Sequence, residues 1–394
     1  MSVSPPKTSR TSATENERQR SIIGCLLGTA VGDALGLPYE GLSRRRGVRL
    51  LGPPDRYRFF FGRGMVSDDT EHTCLVARAL ISAGDDLDMF ERSLATGFRW
   101  WLLGVPAGVG LATLRAILKL WLGFSPRNSG VFSAGNGPAM RAAILGAAAS
   151  NDASLRETVR ISSRITHTDP KAEQGAFAIA VAAQLAARTP ALSGAALRES
   201  FCHALYRELS EEPQAEEFLG LVQRAVDSVA SGQPTEEFAL DLGLANGVSG
   251  YTLHSVPVAL HAWLSHPRDF AAAVQSVIVC GGDADTTAAM VGGIVGTAVG
   301  LDGIPQDWLD TLCEWPRSVS WMESLGAQLA AHSQPEASAS PEHRSAHGPP
   351  TATRQRILRE LPRRVMWCAA VLLRNLFFVT VVLHHGFRRL LPPW

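Results

Sequence analysis

Two short stretches far apart in the chain carry residue types suited to binding a cation. Residues 281–287 read GGDADTT, directly after the apolar run AAAVQSVIVC, and residues 67–73 read SDDTEHT. Either one alone reads as a turn leading into a helix N-cap, because Asp and Thr are ordinary capping residues. Together they offer Ser67, Asp68, Asp69, Asp283, Asp285 and Thr286 as oxygen donors. Adjacent carboxylates repel one another in a shared site unless cations neutralise them, and neither stretch contains Lys or Arg. Hard divalent cations take such oxygens, so the expected occupant is a cation of the Mg²⁺ kind. No Cys or His stands at soft-metal spacing, and His72 reads as structural.

Something must bring the two stretches together. The first expected helix, SIIGCLLGTAVGDALG, carries Gly24, Gly28, Gly32 and Gly36, which fall in one row on a helix. Each interior glycine costs roughly 1 kcal/mol relative to alanine, so the row needs a reason. Close approach of another backbone supplies one. The helix after GGDADTT repeats the device at Gly292, Gly296 and Gly300. Antiparallel packing of these two helices would carry Glu40, in LPYEG, toward Asp283 and Asp285.

Alanine-rich helical patterns dominate from Ser21 to about Ala331, and few segments alternate strictly enough to be strands. The expected fold is all-α, with ten or more helices. Residues 1–20 read as a disordered polar arm, 21–331 as one helical domain, 332–360 as a polar linker and 361–394 as an Arg-flanked hydrophobic segment. With 37 basic and 37 acidic residues, the chain lacks the electrostatic footprint of a sequence-specific nucleic-acid binder. Its six cysteines read as buried reduced thiols of a cytoplasmic protein.

The motifs GCLLGTAVGDALGLPYEG, SDDTEHT, SAGNGPAMR, THTDP and GGDADTTAAMVGGIVG, in this order, resemble those of ADP-ribosylglycohydrolases over about residues 21–325. The resemblance implies an orthogonal helix bundle with two Mg²⁺ or Mn²⁺ ions in a cleft, and removal of ADP-ribose from a modified protein or other acceptor. It makes Ser67, Asp68, Asp69, Asp283, Asp285 and Thr286 the metal ligands, with Ser67 standing where the family usually has threonine. It assigns Glu40 to substrate gating or catalysis, and Glu40 or Asp69 would handle the proton of the attacking water. Ser133, Gly135, Asn136, Gly137 and His167 would line the diphosphate and ribose. One departure is the absence of a carboxylate between Gly104 and Gly123, where some family members carry an aspartate that handles substrate. An ADP-ribose-binding or structural protein without turnover is the alternative reading.

Residues 365–383, VMWCAAVLLRNLFFVTVVL, suit a membrane span in length. Their Leu, Val and Phe residues offer about −3 to −7 kcal/mol of insertion free energy, while the central Arg374 costs about +2.5 to +3.5 kcal/mol. Membrane association through this segment and docking on the domain are both open from sequence.

Overall fold

The computed structural model describes the backbone of residues 7–212, 214–332 and 354–389, with side chains over 15–212, 214–332 and 365–387. Among the described residues there are nineteen α-helices, two 3-10 turns and one two-stranded antiparallel ladder, Leu42–Ser43 with Gly281–Gly282. The all-α expectation holds. Polar caps start many of the helices: Ser67 accepts a hydrogen bond from the amide of Asp69, and Asp86 accepts one from that of Met89. Asp169 caps the Pro170–Arg188 helix, whose first residue is proline.

The centre of the bundle is the Ala284–Val299 helix, every residue of which is buried. A helix apolar on all sides belongs inside a core. It packs antiparallel against the first helix, Lys7–Gly36, along the expected glycine seam. Gly24 faces Gly296, Gly28 faces Gly292, Gly32 faces Ala288 and Gly36 faces Ala284; a β-carbon at any of these four glycines would lie within 3.0 Å of the facing carbonyl oxygen. Only glycine permits so close an approach of two backbones.

Three expected boundaries move. The first helix begins at Lys7, so residues 7–20 are helical rather than a disordered arm. Arg18 and Arg20 tie this stretch down by donating to the carbonyls of Ala148 and Val299. His332 ends the Val319–His332 helix instead of opening a linker. Residues 333–353 of that linker lie outside the described residues, and residues 354–360 already belong to the C-terminal helix, Arg354–Arg389. The cysteines divide: Cys25, Cys74 and Cys280 are buried, Cys202 and Cys313 are half-buried, and Cys368 is exposed on the C-terminal helix.

The C-terminal helix docks on the domain through the two polar residues that made its insertion costly. Arg374 Nε and Nη2 donate to Glu314 Oε1 and Oε2 at 2.8 and 2.7 Å, and Nη2 also donates to the Val66 carbonyl at 2.5 Å. Asn375 Nδ2 donates to the Gly104 carbonyl at 2.6 Å. Val66 immediately precedes the SDDTEHT stretch, so the helix grips the chain beside one of the acidic motifs.

Gly28→Val should disrupt the seam, because the facing Gly292 carbonyl is backbone and cannot swing away. Thermal denaturation should show a loss of several kcal/mol, in the range of other severe core overpacking. A melting temperature equal to that of the unaltered chain would mean the seam is looser than described.

Candidate active site

The seam sets where the acidic motifs meet. Gly36, the last residue of the first helix, lies against Ala284 and Asp285 at the start of the buried helix. The chain then turns through Leu37–Tyr39 into Glu40, and Gly41 N donates to the Gly282 carbonyl at 2.7 Å. Gly281 and Gly282 both adopt positive φ, 72° and 78°, which lets the backbone bend sharply between two neighbouring segments. Val248 closes the other side: its amide donates to the Gly281 carbonyl and its carbonyl accepts from Asp283 N.

The Asp68–Ala83 helix starts opposite. Its N-terminus is fixed by Asp33, which is fully buried within the first helix. Asp33 Oδ2 accepts from Ser67 N at 2.9 Å, Thr70 N at 3.2 Å and Thr70 Oγ1 at 2.5 Å. Ser67 Oγ donates to Asp69 Oδ2 at 2.9 Å, and Thr286 Oγ1 donates to the same oxygen at 3.3 Å. That second bond joins motifs 217 residues apart in sequence. Asn136 Nδ2 donates to Asp283 Oδ2 at 2.6 Å. Asp69 and Asp283 are thus each held through one carboxylate oxygen. Asp69 Oδ1 and Asp285 Oδ1 are buried and have no hydrogen-bond partner among the described residues.

The electrostatics follow from this crowding. Burial pushes the carboxyls of Asp68, Asp69 and Asp285 well above the usual aspartate range, and their neighbours push further. Asp33 and Asp68 act on Asp69, and Glu40 and Asp69 act on Asp285. Asp283 is raised by burial, against the opposing bond from Asn136. Asp68, Asp69 and Asp285 lie in the first turns of their helices, where the N-terminal dipole favours negative charge. Buried anions of one sign without hydrogen-bond partners call for a cation. The donors are carboxylate and hydroxyl oxygens, which suit Mg²⁺ or Mn²⁺. Among the described residues no three His, Cys, Asp or Glu side chains gather closely enough to hold a metal ion as they stand. The oxygen-bearing side chains fall in two groups, Ser67, Asp68 and Asp69 on one side and Asp283, Asp285 and Thr286 on the other, joined by the bond from Thr286 to Asp69.

The loop from Gly130 to Gly137 reaches these residues through Asn136. Val131 bridges to His167 and Gly135 to Tyr251, and Asn136 N donates to the Gly250 carbonyl at 2.9 Å. His167 lies under the loop, where a β-carbon at Gly137 would come within 2.9 Å of its Cε1 and one at Gly135 within 3.1 Å of its Nε2. Its Nδ1 is 2.9 Å from Thr166 Oγ1. Burial, with help from Arg141, pushes His167 down to about 3, so the ring is neutral. Ser133 Oγ accepts from Gly135 N at 3.3 Å. The structure therefore brings Ser133, Gly135, Asn136, Gly137 and His167 together beside Asp283, with Asn136 as the direct link.

Two residues of the site's support escape sequence reasoning. Asp33 had one signal, an aspartate inside an otherwise apolar glycine-striped helix with no cation nearby in sequence. Arg141, also fully buried, donates to the carbonyls of Gly137 and Ser162 and to Thr166 Oγ1. It ties the loop to the His167 segment, and nothing in SAGNGPAMR announces that its guanidinium turns inward. His72, by contrast, is structural as expected: it is fully buried, edge-on to Phe98 and Trp101, and burial holds it neutral.

Comparison with known proteins fits this geometry. Residues 14–339 match the ADP-ribosylglycohydrolase family. The chain is 32% identical over 320 residues to an uncharacterized protein of Archaeoglobus fulgidus, covering 77% of this chain and 94% of that one. It is 28% identical over 335 residues to human ADP-ribosylhydrolase ARH3, covering 74% of this chain and 88% of the relative. It is also 28% identical over 303 residues to the ADP-ribosyl-dinitrogen reductase glycohydrolase of Rhodospirillum rubrum, covering 74% and 89%. A solved structure described as an ADP-ribosylglycohydrolase-related protein complex superposes with a TM-score of 0.57 at 28% identity, covering 81% of this chain and all of that one. The chain belongs to the ADP-ribosylglycohydrolase family. It is a glycohydrolase acting on ADP-ribosyl bonds.

The buried carboxyls make the cation-free protein sensitive to pH. Burial raises Asp33 from 3.8 to about 7, so between those values the folded protein keeps a proton that the unfolded chain has released. Stability is present at low pH and is lost as pH rises through this window, by on the order of 1.4 kcal/mol per pH unit for one such group. In EDTA the melting temperature should fall from pH 5 to pH 7.5, and saturating Mg²⁺ should reduce the fall. A melting temperature in EDTA that stays level or rises over that range would contradict the burial of these acids.

Proposed function

We propose that the cleft hydrolyses the bond between C1″ of ADP-ribose and an acceptor side chain, with two divalent cations held between the acidic motifs. The observation that carries this reading is the pair of buried, partnerless oxygens, Asp69 Oδ1 and Asp285 Oδ1, at the starts of two helices whose motifs touch. Ser67, Asp68, Asp69, Asp283, Asp285 and Thr286 would hold Mg²⁺ or Mn²⁺. Such ions, when bound, supply Lewis acidity and lower the pKa of a water.

The chain's own residues do the rest. Ser67 and Thr286 steady Asp69 through Oδ2, and Asn136 steadies Asp283, so the remaining oxygens keep fixed directions. Gly135 and Gly137 let the loop lie directly on the neutral His167 ring, so that the loop would offer backbone to a diphosphate. Glu40 is exposed at the rim, close enough to Asp285 and Asp68 to raise both. It or Asp69 takes the proton of the attacking water, while the surrounding carboxylates stabilise positive charge developing at C1″. The substrate is an ADP-ribosylated protein or other ADP-ribosylated acceptor. The names of the relatives support that class.

The test is release of free ADP-ribose from arginine-linked, serine-linked and nucleic-acid-linked substrates. EDTA should abolish release, and Mg²⁺ or Mn²⁺ should restore it. Asp283→Asn with Asp285→Asn should lower turnover at least 100-fold while leaving far-ultraviolet circular dichroism unchanged. Full release in EDTA, or from the double variant, would sink the metal-dependent mechanism. ADP-ribose binding without release from any substrate would make the protein a binding module.

A further inference from the structure

The C-terminal helix is amphipathic in the reverse sense to a soluble surface helix. Arg374, Phe378, Val381 and His385 recur at helical spacing and are buried against the domain. The opposite face carries Met366, Leu373, Leu376, Leu383 and Phe387, with Leu373, Leu376 and Phe387 exposed by 64, 62 and 72%. Charge is turned inward and hydrocarbon outward. The apolar surface continues onto the domain. Asn375 holds the carbonyl of Gly104, and Leu103 and Val105 on either side of that glycine are both exposed. One turn earlier Trp100 is exposed at 67% and meets Trp121 edge-on at 6.4 Å between ring centres. Apolar patches of this kind on soluble domains mark a partner or a membrane.

We propose that this surface docks the protein in the plane of an anionic lipid bilayer, with the C-terminal helix lying along the interface. Three observations select this occupant and this pose. First, the helix cannot cross the bilayer as it stands, because that would pull Arg374 away from Glu314 and the Val66 carbonyl and leave a buried carboxylate uncompensated. Second, Arg363 and Arg364 precede the apolar stretch and Arg388 and Arg389 follow it. Basic residues at both ends complement lipid phosphates. Third, the surface adds exposed tryptophans, whose amphipathic rings favour the headgroup region.

The pose has a structural consequence for the cleft. The Val66 carbonyl bound by Arg374 is next to Ser67, and Gly108, in the loop following Val105, reaches toward Asp68. The acidic motif would therefore sit about one helix diameter, roughly 10 Å, from the lipid surface. The docking surface itself stands whether or not the cleft hydrolyses ADP-ribosyl bonds.

The experiment is flotation of the full-length protein with vesicles of phosphatidylcholine and phosphatidylglycerol at 3:1, and with vesicles of phosphatidylcholine alone. A variant combining Leu376→Glu and Leu383→Glu alters only the outward face, and its melting temperature reports that the fold is kept. We expect at least tenfold more protein to float with the anionic vesicles, and the double variant to lose that binding at an unchanged melting temperature. Absence of flotation with either vesicle would overturn the proposal, as would equal flotation of the variant. Sedimentation that shows a dimer dissolved by the same two substitutions, without vesicle binding, would assign the face to a second copy instead.

Discussion

The contact on which the structure depends is backbone against backbone. Along the seam between the Lys7–Gly36 and Ala284–Val299 helices, glycines on one side meet glycine or alanine carbonyls on the other. Backbone meets backbone along this row, so the relative position of the helices has little freedom to drift. Each interior glycine weakens its own helix by roughly 1 kcal/mol, and burial of the whole second helix offsets that. In return, residues at the end of one helix and the start of the other are held in fixed register. Catalytic and binding geometries tolerate only small displacements, so a rigid seam suits a site assembled from distant segments.

Around the seam, Asp69 and Asp283 are oriented by hydrogen bonds to one oxygen each. Asp33 links the first of them to the seam. It is buried in the first helix and holds the amides of Ser67 and Thr70, and so transmits the position of the seam to the second acidic motif. Ser67, Thr286 and Asn136 complete the arrangement. What remains is a set of carboxylate oxygens in a desolvated place, an expensive feature for a protein to keep without a counter-ion. The grip of Arg374 on Val66 adds a tether from outside the family match, which ends at residue 339.

Much of this was legible from the chain because its signals are local or periodic. The four-residue glycine spacing announced a close helix pair, and its antiparallel sense correctly brought Glu40 toward Asp285. The Asp169-Pro170 cap was equally plain. The misses have a shared physical cause. Whether a charged side chain points into the core depends on partners distant in sequence, and Arg141 and Arg374 both find theirs there. The sequence leaves membrane association and docking both open for Arg374, because its counterpart, Glu314, is 60 residues away. The start of the first helix was missed because residues 7–20 are polar and lack apolar periodicity. They are helical as an extension of a buried helix, with Arg18 and Arg20 reaching back to carbonyls on other segments.

The central claim is that the two acidic motifs form one cation site rather than two separate caps. Its most direct test is the stoichiometry of Mn²⁺ binding, read by electron paramagnetic resonance on the full-length protein. The shared site predicts two ions per chain, with occupancy of both sharply weakened when either Asp68 and Asp69 or Asp283 and Asp285 are changed to asparagine. Ions that bind undisturbed at one motif when the other is neutralised, or no specific Mn²⁺ binding at all, would contradict it.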